Sequence, residues 1–166
     1  MSQIEVSGSG ILEFMGNTYA CAVGRGGVAA DKREGDGTTP VGMFPLRQVF
    51  YRPDRLDRPQ TGLPVQDLKA EYGWCDDPRD EKYNKLVSMP YAARSEKMWR
   101  EDSLYDIVTV IGFNDLPPVY DRGSAIFLHV AAADLSPTEG CLALTINDLL
   151  EVLRNSTSDT MINISA

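Results

Sequence analysis

The stretch Ala125-Ile126-Phe127-Leu128-His129-Val130, a polar turn from Ala131 to Gly140, and the return Cys141-Leu142-Ala143-Leu144 decide the fold class. Two short apolar runs flank a segment rich in small and turn-forming residues, the pattern of two buried strands joined by a tight excursion. Immediately after them, Thr145-Ile146-Asn147-Asp148 has the Ser/Thr-x-x-Asp/Glu form that opens a helix. Apolar Leu149, Leu150, Val152 and Leu153 follow at helical spacing.

Working outward, Leu104 to Gly112 is a strand dense in β-branched residues, and 160–164 suggests a final one. Residues 11–23 read as two strands around Gly16-Asn17, and Gly42 to Phe50 as a third. Gly24 to Gly37 is polar and glycine-rich and packs as no regular element. Asn114 to Gly123, with Pro117-Pro118, is a turn-rich connection. Between Arg52 and Pro90 five prolines (Pro53, Pro59, Pro64, Pro78, Pro90) break the chain, which predicts a loop-rich insertion or lid over 52–103. Ser95 to Asp102 within it reads as a short helix capped by Ser95. The expectation is a mainly β domain over 1–166, a sandwich or partly open barrel with two short helices.

The 166 residues are 43% hydrophobic and 24% charged, proportions that support one core without metal or disulfide. No apolar run reaches membrane-spanning length. A formal charge of −8 without a basic run argues against nucleic acid and anionic membrane as partners. Met1 to Gly10 shows no export signal. Cys21, Cys75 and Cys141 lack Cys-x-x-Cys spacing, so no zinc site is indicated, and a Cys21–Cys75 bridge stays open. No Gly-x-Gly-x-x-Gly or P-loop occurs, no cofactor or metal is called for, and no obligate protein partner is inferred.

A thiol acylates only once ionised, and an imidazole can take its proton if a third group fixes the ring. His129 closes one strand and Cys141 opens the next, so both can meet at one sheet end, whereas each alone reads by default as a core residue. Gly140 lets a substrate carbonyl approach, and the Gly140 and Cys141 amides are candidate oxyanion donors. Trp74, Tyr83 and Asn84 in the insertion either contact a ligand or anchor the loop.

Ile126-Phe127-Leu128-His129 with Ser136-Pro137-Thr138-Glu139-Gly140-Cys141 resembles the signature of the L,D-transpeptidase (YkuD-type) family. Lys32-Arg33-Glu34-Gly35-Asp36-Gly37-Thr38-Thr39-Pro40-Val41-Gly42-Met43-Phe44 resembles that family's second block, Gly-Asp-x-x-Thr-Pro-x-Gly-x-Phe, in the same order. The resemblance covers about residues 10 to 155. It implies a catalytic domain acting on peptidoglycan stem peptides in the periplasm or cell envelope; the missing export signal leaves the cytoplasm as the alternative. It implies Cys141 as nucleophile, His129 as base and the Val130 carbonyl as the group orienting the ring. The thioester would pass to an amine of a neighbouring stem. Water as acceptor (a carboxypeptidase or amidase), a silent peptidoglycan-binding module and a redox-sensing thiol are the alternatives. Glu139, Val130 and Ala143 depart from the family, which often has histidine, glycine or serine, and arginine or asparagine there. With Ala143 in place of a polar residue, Arg33, Arg94 or Arg122 would bind the substrate carboxylate. Asn114, Ser124, Thr138 and Glu139, flanking the pair, complete the candidate substrate contacts.

Overall fold

The computed structural model describes residues 2–166. Its elements are, in chain order, β1 (Gln3–Ser7), β2 (Ile11–Phe14), β3 (Asn17–Ala20), β4 (Val28–Ala29), β5 (Thr39–Pro40), β6 (Gly42–Tyr51) and β7 (Val65–Asp67). Then come β8 (Tyr72–Cys75), β9 (Leu86–Ser88), β10 (Ser95–Lys97), β11 (Ile107–Ile111), β12 (Phe127–Val130), β13 (Leu142–Leu144), α1 (Ile146–Arg154) and β14 (Met161–Ser165). The protein is mainly β, as the sequence led us to expect.

The main sheet runs β13-β12-β11-β6-β14-β1-β2-β3, with β7 added beside β6. Just past β3 the chain reaches the opposite edge. Ala22 N–H donates to Ala143 O at 2.8 Å, and Ala143 N–H returns a bond to Ala22 O at 3.1 Å. The sheet therefore closes on itself as a nearly complete barrel, which removes two exposed edges.

Alternation along the strands divides the core in two. Leu12, Val49, Ile107, Leu128, Leu142, Ile162 and the α1 residues Leu149, Val152 and Leu153 fill the interior. Val108, Val110, Phe127 and Cys141 face outward and are covered by Leu68, Trp74, Met98 and Tyr105. Every residue of β11, β12 and β13 is consequently buried, and strands covered on both faces read as continuous apolar runs. The outer cover is organised by a three-stranded sheet, β10-β8-β9.

That cover comes from the segment expected to be a loop-rich insertion. It is rich in loops, yet it also holds β7 to β10 and buries Leu63, Trp74, Cys75, Tyr83, Val87 and Met98. The helix expected from Ser95 to Asp102 is absent. Ser95, Glu96 and Lys97 pair with Cys75, Trp74 and Gly73 instead. The only apolar residues there, Met98 and Trp99, are adjacent and give no helical stripe, so ladder bonds to β8 win. α1 is thus the single helix among the described residues, and Thr145 caps it by accepting from Asp148 N–H. A strand not foreseen, β1, pairs in parallel with β14 and buries Ile4 and Val6. All three cysteines are free, so the Cys21–Cys75 bridge left open by spacing does not form.

Candidate active site

Parallel pairing of β12 with β13 sets Leu128 beside Leu142 and His129 beside Ala143. One step earlier, Phe127 N–H donates to Cys141 Sγ at 3.3 Å. Residues two apart on a strand share a face, so Phe127, His129, Cys141 and Ala143 all point outward from the barrel. With a rise of about 3.3 Å per residue and strands about 4.8 Å apart, Cys141 and His129 are diagonal neighbours about 8 Å apart at Cα. Both line one cavity of about 480 Å³ between the barrel and its cover.

The imidazole is 4% exposed and held at one end, Nδ1 donating to Val130 O at 2.9 Å. That bond fixes the tautomer with the proton on Nδ1 and leaves Nε2 as the basic nitrogen. Tyr105 stands edge-on to the ring at 5.2 Å between centroids. Burial pushes the histidine pKa down, and the nearby Arg100 charge pushes the same way, against the Val130 bond. Cys141 Sγ donates to Ala125 O at 3.1 Å, and no hydrogen bond joins it to the imidazole. Burial, seconded by the charge of Glu96, pushes its pKa up to about 12. At rest the pair is therefore thiol and neutral imidazole, not an ion pair.

The turn before the cysteine is braced by the glycine-rich block. Asp36 accepts from Arg33 N–H (2.7 Å), Thr38 N–H (2.9 Å), Thr38 Oγ1 (2.8 Å) and Lys32 Nζ (3.0 Å). Burial works against its charge, but these donors outweigh it and hold the carboxyl well below the usual range. Thr39 Oγ1 then donates to Gly140 O at 2.8 Å and accepts from Gly24 N–H at 2.9 Å. Gly140 has φ +135°, and a Cβ there would lie 2.7 Å from Thr38 O, so only glycine fits. Its N–H is given to Thr138 Oγ1 at 3.1 Å, while Thr138 Oγ1 donates to Cys141 O at 2.6 Å. Of the two expected oxyanion donors, the Cys141 amide alone has no acceptor among the described residues.

Ser124, Thr138 and Glu139 join Cys141 and His129 at the cavity, Glu139 at its rim in an exposed pair with Arg25. Tyr83 reaches it indirectly, its hydroxyl donating to Glu34 Oε1 at 2.7 Å and accepting from Gly123 N–H. Trp74 and Asn84 lie elsewhere and bind each other, Nε1–H to Oδ1 at 2.9 Å. Asn84 also bonds Ala125 N–H, Phe113 O and Asn114 O, and so serves as a bracket between loops. Asn114 staples its own loop through Val119 and Gly123. Arg33 pairs weakly with Asp31, Arg122 is exposed, and Arg94 grips Asp76; none of the three lines the cavity.

The guanidinium that does line it is Arg100, accompanied by Lys32, Glu34, Glu96 and Tyr105, none of which was singled out from sequence. Lys32 and Glu34 begin the glycine-rich block, which was the available signal. Glu96 and Arg100 were hidden inside the stretch taken for a helix. Among the described residues no cluster of His, Cys, Asp or Glu could hold a metal.

The profile of the L,D-transpeptidase catalytic domain matches residues 13–164. No curated protein matches the sequence significantly. Among solved structures, L,D-transpeptidase 1 of Mycobacterium tuberculosis superposes with a TM-score of 0.46 and 8% identity, over 99% of this chain and 59% of that one. The helical cell shape determining protein Pgp2 of Campylobacter jejuni gives 0.48 and 14%, over 98% and 46%. The chain thus spans about half the length of these structures. The profile match, extending over nearly all of the barrel and its cover, places the chain in the L,D-transpeptidase (YkuD) catalytic domain family.

Proposed function

We propose that this chain is a cysteine acyltransferase that crosslinks peptidoglycan stem peptides through a thioester on Cys141, and that it works in the cell envelope where that substrate lies. The observation that carries this reading is one cavity shared by a thiol and an imidazole whose Nδ1 is tied to Val130 O. No helix is long and apolar enough to cross a membrane.

In the first half-reaction the stem peptide's carbonyl sits against Cys141. The thiol leaves Ala125 O, its proton passes to His129 Nε2, and sulfur bonds to the carbonyl carbon. The negative oxygen accepts from the Cys141 N–H. The imidazolium then gives its proton to the departing amine as the C–N bond breaks, leaving a thioester. In the second half an amine attacks the thioester, His129 takes its proton, and the thiol is regenerated. Burial suits this order: a neutral thiol and a neutral imidazole are stable without substrate, and charge develops only when the carbonyl is in place.

Incubation of the protein with a disaccharide-tetrapeptide, followed by mass spectrometry, tests the reading. A crosslinked dimer together with released D-alanine is the expected outcome. Tripeptide without dimer would make water the acceptor, and unchanged tetrapeptide would defeat the proposal.

A further inference from the structure

Cys141 Sγ is held between two backbone groups of one short stretch of chain. It donates to Ala125 O at 3.1 Å and accepts from Phe127 N–H at 3.3 Å. Ala125 has φ +54°, in the left-handed region that disfavours any residue with a Cβ. A residue there keeps its conformation only where its surroundings impose it. The group that does so binds the Ala125 amide: Ala125 N–H donates to Asn84 Oδ1 at 3.0 Å.

Asn84 is buried, and its side-chain amide is fully used. Oδ1 also accepts from Trp74 Nε1–H at 2.9 Å, while Nδ2 donates to Phe113 O at 3.0 Å and Asn114 O at 2.8 Å. With both N–H donors and both oxygen lone pairs engaged, the amide has one orientation. Flipped, it would set its NH2 against two N–H groups and its oxygen against two carbonyls. Asn84 itself has φ +59°, a conformation asparagine tolerates better than most side chains do. Through Trp74, which stands edge-on to Phe127 at 5.2 Å, it also backs the sulfur's second partner. Asn84 does not line the cavity of Cys141; with Trp74, Ile126 and Phe127 it lines a separate one of about 240 Å³.

We propose that Asn84 is a positioning residue for the candidate nucleophile. Its amide oxygen holds Ala125 in the left-handed conformation, and the Ala125 carbonyl so aimed fixes where the Cys141 sulfur sits. The consequence for catalysis rests on the reading of Cys141 as nucleophile; the placement of the sulfur does not. A sulfur kept in one place meets a substrate carbonyl at a set distance and angle. Losing that order slows bond formation without removing any group that holds the substrate.

Infrared spectroscopy of the S–H stretch tests the placement, the spectrum of the matching Cys141→Ala protein being subtracted to isolate one thiol. In wild type the Cys141 band should lie at lower wavenumber than that of a thiol without an acceptor. Asn84→Gly removes the amide and tolerates positive φ, and it should move the band up. Adding Ala125→Gly, which allows the left-handed conformation without support, should bring the band back. That second change would not relieve the loss of a mere tie between loops. A band unmoved by Asn84→Gly, or moved and not restored, overturns the proposal. Should Asn84→Gly fail to fold by circular dichroism, NMR of wild type decides. A scalar coupling across the hydrogen bond between Ala125 N and Asn84 Cγ is expected, and its absence overturns the proposal. With a stem tetrapeptide donor, Asn84→Gly should lower the maximal acylation rate about tenfold or more and leave the half-saturating concentration nearly unchanged. Ala125→Gly should recover most of that loss, and an effect on the half-saturating concentration alone refutes the positioning role. Absence of any acyl adduct in wild type would count against Cys141 as nucleophile, while the S–H band would still decide the placement.

Discussion

Cys141 holds its proton because its thiol is buried. Burial pushes the thiol pKa up to about 12, and the Phe127 N–H and Lys32 offset this only in part. Since only the thiolate is nucleophilic, alkylation by iodoacetamide should be slow at pH 7 and keep rising beyond pH 9, where a free cysteine has levelled off. A plateau below pH 8, read by intact mass, would contradict a neutral resting pair. At this scale the sequence singled out the candidate pair through residue type and order: one histidine, one cysteine preceded by glycine, and a strand leading to each. Glu96, Arg100 and Tyr105 were not legible, because what makes them matter is their meeting in space. No periodicity relates Glu96 to Glu34; the pairing of β10 with β8 brings Glu96 to the wall.

The Gly35–Thr39 loop and the Gly140 turn behave as one element. Asp36 gathers the donors of the first, and Thr39 Oγ1 ties it to the carbonyl of the second. Replacing Thr39 by valine keeps the shape but strands Gly24 N–H and Gly140 O, at a cost of about 1–3 kcal/mol. The acylation rate should fall as well, because the Cys141 amide moves with Gly140. Gly140→Ala should cost more, its Cβ meeting Thr38 O at 2.7 Å in a backbone region that disfavours side chains. Urea denaturation and acylation kinetics on both variants check this; wild-type behaviour in either would dissolve the link. The two blocks were readable as motifs, and the Thr145 cap and the β2–β3 turn as local chemistry. The segment from Ser95 to Asp102 was misread because its polar residues fit a helix start, while the deciding partner, β8, lies about twenty residues upstream and is set by tertiary pairing.

Over the whole molecule, the barrel supplies stability and the cover supplies the cavity. Leu12→Ala, deep in the interior, should destabilise by about 2–5 kcal/mol yet leave the acylation rate of folded protein unchanged. Phe127→Ala should cost about 3–5 kcal/mol and also impair acylation. Its ring contacts Trp74 (5.2 Å) and Tyr105 (5.8 Å), and its N–H bonds Cys141. Stability should also respond to His129. Burial lowers its folded pKa below the ordinary imidazole value of 6.5, with Arg100 adding to the effect. Above pH 6.5 both states are neutral there. Between 6.5 and the lower folded value the unfolded chain takes up a proton that the native one refuses. Stability therefore falls as pH drops through that window, by at most about 1.4 kcal/mol per unit, and His129→Gln should remove that part of the slope. Identical slopes for wild type and variant would mean that the ring is not buried neutral. Ring closure through Ala22 and Ala143 could not be read from the chain, for it joins two short segments with no pairing motif of their own.

The most direct test is the intact mass of the protein after incubation with a stem tetrapeptide donor. Wild type should gain one acyl group, mapped to Cys141, and Cys141→Ala none. His129→Ala should acquire the adduct about 10²–10⁴ times more slowly, the range for loss of a general base. An adduct on Cys21 or Cys75, or an undiminished rate in His129→Ala, would contradict the account.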